Sequence, residues 1–250
     1  MKKKLLCLVL ALALCLSLCP GAFAAENSYA NFGPKRTYEN QFEDVTADKW
    51  YADEVQLGYE YGFINGVSDT QFAPDKELSV AEAITLACRI YSIYTTGADP
   101  VLSELREGEK WYAPYVRYAL EKGIIASEYN NYDTPAVRSE VAKIFAKALP
   151  AEALTATRTV EDDSIPDVPS SASYAPAVYL LYRAGVLSGN DDYGTFKPNS
   201  NIKRSEISAI CVRLAVPGER SAKALAKPPA GRQKLSATEI SEKCSSAVFT

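Results

Sequence analysis

Apolar positions recur along this chain at helical rather than alternating spacing, and they do so in paired blocks. Val178, Leu181 and Tyr182 mark one face of a helix, and Val141, Ile144, Phe145 and Leu149 mark another. The pairs repeat. Tyr51, Tyr112 and Tyr174 stand 61 and 62 residues apart, and a glycine follows each by eleven residues, at Gly62, Gly123 and Gly185. The spacing predicts a first helix from just after each tyrosine to the glycine. Pro114 and Pro176 suit its first turn, where no donor is lost, and the glycine suits a left-handed cap. A short apolar segment comes next (Phe63-Ile64, Ile124-Ile125, Val186-Leu187). A polar loop then carries an aromatic residue and a proline: Asp69 to Pro74, Tyr129 to Pro135, Asp191 to Pro198. Second helices are predicted to begin near Ser79, Val137 and Lys203. One helix pair cannot cover its own apolar faces, so the prediction is an all-α fold of three helix-loop-helix repeats packed around a shared axis. Repeat 1 is placed at residues 42–96, repeat 2 at 105–150 and repeat 3 at 165–217, with charged connections from Thr95 to Lys110 and from Ala151 to Ser164.

The N-terminus adds a destination. Lys2, Lys3 and Lys4 precede an apolar run from Leu5 to Leu18, and Ala22-Phe23-Ala24 forms a small-x-small cleavage site, so residues 1–24 read as a signal peptide. The mature form is expected to be secreted, with no membrane segment. The whole chain has a formal charge of −4, and the leader's three lysines leave −7 for the remainder. An acidic chain without clustered Lys/Arg is no candidate for nucleic acid. Of six cysteines, Cys88, Cys211 and Cys244 lie beyond the leader; so sparse and odd a set is no disulfide framework, and Cys88 and Cys211 fall in apolar helical patterns. There is no histidine, which excludes a Ser-His-Asp triad and most zinc sites within these residues. No phosphate loop or dinucleotide fingerprint occurs, so neither an enzymatic activity nor a cofactor nor a metal is expected here.

Several motifs then agree in order. Phe42-Glu43-Asp44-Val45 precedes Trp50-Tyr51, and a turn runs from Gly62 to Gly66. The third loop reads Gly194-Thr195-Phe196-Lys197-Pro198. The second helices open with Ser79-Val80-Ala81-Glu82, Val137-Arg138-Ser139-Glu140 and Lys203-Arg204-Ser205-Glu206. In these features residues 42–217 resemble the S-layer homology (SLH) modules of bacterial cell-surface proteins, whose second helices carry a Thr-Arg-Ala-Glu-like signature. The resemblance implies a pseudo-threefold helical domain, located at the cell wall or S-layer. It also implies attachment to secondary cell-wall polysaccharide, an acidic and pyruvylated glycan, through grooves between adjacent repeats. The chain departs from the pattern in four places. Val80 stands where repeat 1 should have arginine, and Val137 where repeat 2 should have Thr or Ser. Repeat 2 lacks the Asp-Val opening seen at Asp44-Val45 and Asp167-Val168, and Ser173 replaces the tryptophan in repeat 3.

The candidate polysaccharide-binding residues follow from that match. The guanidiniums of Arg138 and Arg204 can hold a sugar-borne carboxylate through two parallel charge-assisted bonds; alternatively each pairs with a neighbouring acid such as Glu140 or Glu206. Glu82 has capping-box spacing from Ser79; Glu140 and Glu206 lack that cap residue and either orient the arginine or a sugar hydroxyl or, like Glu82, serve structure alone, which is the favoured reading of all three. Trp50 and Trp111 either stack on a sugar face or fill the core at helix starts. Arg89, Lys147 and Arg213 form a basic column read as inter-helix pairing partners. Residues 218–250 read as a linker and the start of another segment. Its last stretch, from Leu235 to Thr250, is similar to the opening of secreted trypsin-like (HtrA-type) peptidase domains. The primary expectation is therefore a non-catalytic wall anchor. The alternatives are the anchor portion of a serine protease whose catalytic domain is absent from this chain, and a helical protein-binding adaptor.

Overall fold

Among the described residues six α-helices form in three pairs, each where local capping signals and an apolar stripe coincide. A computed structural model describes residues 27–227; the leader, the peptidase-like segment and Cys244 lie outside the described residues. The first helices are α1 (Ala52–Glu60), α3 (Ala113–Glu121) and α5 (Ala175–Arg183), and the second helices are α2 (Val80–Thr96), α4 (Arg138–Phe145) and α6 (Arg204–Ala215). Tyr51, Tyr112 and Tyr174 are the N-caps of the first set, and Pro114 and Pro176 sit in the first turns. Gly62, Gly123 and Gly185 end these helices with φ of +74°, +69° and +72°. A β-carbon on Gly185 would also meet the Ser221 carbonyl at 2.4 Å, so that position admits glycine alone. Ser79, Val137 and Lys203 are the N-caps of the second set.

Two boundaries differ from the sequence expectation. Thr95 and Thr96 extend α2 rather than opening the connection, because their hydroxyls donate back to the Tyr91 and Ser92 carbonyls and the helix runs on to a left-handed Gly97. Conversely α4 stops at Phe145, and Leu149, although buried, lies past its end. Pro150 disfavours helical backbone at Leu149, which shortens that helix.

The three pairs close into a ring. Leu78 N–H donates to Ile202 C=O (3.1 Å), Ile202 N–H to Ala136 C=O (2.9 Å), and Ala136 N–H to Leu78 C=O (2.8 Å). This hydrogen-bonded triangle sits on the pseudo-threefold axis, just before the three second helices. Among the described residues no strand is formed; three isolated antiparallel bridges flank the triangle. Each second helix then packs on the first helix of the following pair: α2 on α3, α4 on α5, and α6 on α1. One continuous apolar core results, with Phe72, Ile84, Phe145, Tyr179, Tyr182 and Phe196 fully enclosed. The ends of the fold meet as well. The buried Arg220 donates to the Tyr29 hydroxyl (2.6 Å) and to the Arg213 and Ala153 carbonyls (2.9 and 3.1 Å). Cys88 and Cys211 are buried thiols, both pushed up to about 12 by loss of solvent, which makes them inert packing groups. No helix among the described residues is long and apolar enough to cross a membrane.

Candidate functional site: the grooves between helix pairs

The cyclic packing makes three grooves: α6–α1, α2–α3 and α4–α5. The α6–α1 groove encloses about 590 Å³. Its lining brings together Arg138 from the second pair, Lys203, Glu206 and Arg213 from the third, and Trp50 and Asp75 from the first. Trp50 is 60% exposed and Trp111 is 52% exposed, so neither indole is a core residue. Each instead stands over its own tyrosine edge-to-face, Trp50 on Tyr51 at 5.4 Å and Trp111 on Tyr112 at 5.5 Å, with its other face open.

Arg138 is 8% exposed and largely committed to the protein. Its Nε donates to Phe196 C=O (2.7 Å), its Nη1 pairs with the Glu206 carboxylate, and its guanidinium lies 5.3 Å from the Phe196 ring centre. Arg204 is held the same way one step around the ring. Its Nε donates to Phe72 C=O (2.9 Å), its Nη2 to Asn65 C=O, and its guanidinium lies 4.7 Å from the Phe72 ring. Burial lowers the proton affinity of Arg204, opposed by the nearby Glu82. No partner among the described residues engages Nη2 of Arg138 or Nη1 of Arg204, so one terminal nitrogen of each remains for a ligand.

The glutamates separate by role. Glu82 forms the capping box with Ser79: it accepts from Ser79 N–H (2.7 Å), and Ser79 Oγ accepts from Glu82 N–H (3.2 Å). Glu206 caps α6 only through the Lys203 N–H (2.9 Å), and its other oxygen holds Arg138. Glu140 begins α4 beside Tyr129, whose hydroxyl burial and that carboxylate push up to about 12. The basic column is not one structure. Arg213 bridges α6 to α1 through Glu54 (3.2 Å), Arg89 pairs with Asp99 in the following connection (2.9 Å), and Lys147 lies exposed beyond α4.

The loops that receive the arginines are themselves fixed. Asp44 accepts from Phe72 and Ala73 N–H at 2.8 and 2.7 Å, and Asp167 accepts from Phe196 and Lys197 N–H at 2.8 and 2.6 Å. Ala73 and Lys197 both take φ of +58°, a conformation non-glycine residues avoid, and the paired aspartate bonds hold them there. The Asp-Val opening is thus a loop clamp, which sequence spacing could not show because the loop lies nearly thirty residues downstream.

The α4–α5 groove is different in kind. It is as large, about 620 Å³, but it is lined by Ile125, Tyr129, Ile144 and Leu180, with Lys143 and Lys147 on its rim. Ser173 occupies the place of the tryptophan there. The cyclic relation assigns Val80 to the place of the arginine, and Val80 is 2% exposed. The middle pair that supplies its loop is also the one without an Asp-Val opening. Three departures scattered over three repeats therefore meet in one groove, while α6–α1 keeps Arg138, Trp50 and Asp167. By the same relation α2–α3 keeps Arg204, Trp111 and Asp44.

The family profile described as "S-layer homology domain" matches residues 41–84 and 164–207, the first and third helix pairs. The chain is 30% identical over 132 residues to the Surface-layer 125 kDa protein of Lysinibacillus sphaericus, covering 50% of this chain and 11% of that protein. It is 26% identical over 185 residues to an Amylopullulanase of Thermoanaerobacterium thermosulfurigenes, covering 71% of this chain and 10% of that one. It is 31% identical over 93 residues to the S-layer protein sap of Bacillus anthracis, covering 37% and 11%. The chain thus spans only about a tenth of the length of each of these relatives. The profile thus matches in two of the three helix pairs, and the middle pair completes the ring outside the matched residues.

Proposed function

We propose that the chain is a non-catalytic cell-surface anchor that holds an acidic, pyruvylated wall polysaccharide in its α6–α1 and α2–α3 grooves. The observation that carries this reading is the charge of the α6–α1 groove. In a chain whose formal charge is −4, that groove gathers four cations (Arg138, Lys197, Lys203, Arg213) beside an open indole; Glu206, Asp75 and Glu54 pair with Arg138, Lys203 and Arg213, which leaves Lys197 as the cation in excess. A ketal carboxylate takes Nη2 of Arg138, with the remaining cations lowering its energy, while the apolar face of a neighbouring sugar covers Trp50. Arg204 and Trp111 serve the second groove in the same way. Glu206, and by analogy Glu82, hold the arginines in place rather than meeting the sugar. Similarity to S-layer proteins and to a large glycoside hydrolase supports the same role, since so short a segment common to both kinds suits attachment better than catalysis.

The test is co-sedimentation of residues 25–250 with purified wall polysaccharide before and after chemical removal of pyruvate. Binding should be strong to the intact glycan and largely lost after depyruvylation. Equal binding to both forms would show that a carboxylate is not what these arginines read.

A further inference from the structure

The groove walls are fastened from behind by two arginines that lie upstream of the repeat boundaries. Arg36 donates through Nε to Tyr59 C=O (2.6 Å) and through Nη2 to Ile64 C=O (2.6 Å) and Asn65 Oδ1 (2.7 Å). Its guanidinium lies flat on Tyr59, 3.4 Å from the ring centre. Arg158 repeats the arrangement in the third pair. Its Nε donates to Tyr182 C=O (2.9 Å), its Nη2 to Leu187 C=O and its Nη1 to Lys223 C=O (2.6 Å), over the Tyr182 ring. The backbones correspond too: Lys35 and Arg36 N–H both donate to Glu60 C=O, and Thr157 and Arg158 N–H both donate to Arg183 C=O.

What these arginines hold is the strand of wall that the groove arginines use. Asn65, gripped by Arg36 through its side chain, accepts Arg204 through its carbonyl. Leu187, gripped by Arg158, begins the stretch Leu187–Asn190 that lines the α6–α1 groove. Asn190 Nδ2 in turn donates to Thr195 C=O (3.0 Å), next to the Phe196 carbonyl that receives Arg138. In the middle pair the corresponding carbonyls belong to Leu120 and Ile125, and among the described residues no arginine reaches them, nor is there a ring at Leu120 for one to lie on. The rear clamp is present behind the two grooves that keep arginine, tryptophan and aspartate, and missing behind the one that lost all three.

We propose that Arg36 and Arg158 are positioning residues for the α2–α3 and α6–α1 grooves respectively, each acting on the ligand through the loop it fastens. This rests on the reading of those grooves as glycan sites. A guanidinium spanning two carbonyls sets the distance between the end of a first helix and the loop beyond it. That distance fixes where Arg204 and Arg138 present their remaining nitrogen.

The experiment uses single-groove proteins. Arg138→Ala leaves α2–α3 as the working groove, and Arg204→Ala leaves α6–α1; affinity for purified pyruvylated wall polysaccharide is measured by calorimetry. Adding Arg36→Gln to the Arg138→Ala protein should weaken binding about tenfold, the size of one lost hydrogen bond. Adding it to the Arg204→Ala protein should change binding less than about twofold. Arg158→Gln should show the opposite pattern. Arg158→Lys keeps this arm measurable if burial makes the glutamine variant fail to fold, and Arg36, only half-buried, decides the matter independently. A merely structural role would weaken both grooves alike, and that outcome, or no effect in either background, overturns the proposal. If neither single-groove parent binds the intact glycan, the reading of the grooves falls and takes this proposal with it.

Discussion

The α6–α1 and α4–α5 grooves have nearly the same volume and the same place relative to the ring, yet they offer opposite surfaces. In the first, a buried guanidinium is fixed by a carbonyl and a carboxylate, its loop is pinned by Asp167, and an indole stands open beside it. In the second, a buried valine and an exposed serine occupy the corresponding places, and among the described residues neither aspartate nor arginine fastens the loop. The backbone has been retained and the chemistry removed. Val80, Ser173 and the missing aspartate cost the fold little, because the hydrogen-bonded triangle does not depend on them and Val80 packs into the apolar core. A pseudo-symmetric ring thus accommodates differently lined grooves without change of shape.

Removing an arginine is the strongest way to break the contrast. Arg138→Ala or Arg204→Ala should each weaken its own groove by about ten- to a hundredfold, from about 1.5–3 kcal/mol of charge-assisted bonding. Calorimetric stoichiometry should fall from two glycan sites to one, and a stoichiometry of three in the unaltered protein would contradict the assignment of α4–α5 as vacant. Arg138→Ala also strips Glu206 of its partner, so unfolding in urea must accompany the titration. A smaller effect is expected from the indoles. Trp50→Ala or Trp111→Ala should cost about 1 kcal/mol at one groove, roughly fivefold in affinity, with stability almost unaltered since both rings are exposed. Unchanged affinity would restrict the indoles to covering their tyrosines. The smallest effect on binding belongs to Val80→Ala, which should leave glycan affinity alone while lowering unfolding stability by about 1–2 kcal/mol, because the lost methyls are buried. A drop in affinity without a drop in stability would return Val80 to the binding surface.

Much of the fold was legible because its signals are local. The tyrosine-to-glycine interval located three first helices, and Ser79, Val137 and Lys203 are N-caps where the sequence placed them. The ambiguity of Trp50 and Trp111 was real, since a position before a helix does not say which way a ring faces; exposure resolves it. The partner of Arg138 was less accessible. Glu206 lies 68 residues away and meets it across the ring, and periodicity within one repeat says nothing of that. Arg36 and Arg158 leave a visible trace in the sequence. Both begin an Arg-Thr pair, 15 and 16 residues before Tyr51 and Tyr174, outside the boundaries drawn at 42 and 165. The convergence of Val80, Ser173 and the missing aspartate was hidden for a different reason. An alignment of repeats compares each copy with itself, whereas each groove takes its parts from three.

Closure of the ring also determines how the molecule bears a load. Arg220 joins the end of the third pair to Tyr29 ahead of the first, and α6 lies against α1. Tension between the two ends of residues 29–220 therefore does not peel the helix pairs away one after another, as it would in an open array. It falls first on the contacts between the first and last pairs, which shear together with the α6–α1 groove that spans them. A polymer seated in that groove would bridge the same seam and brace it against shear.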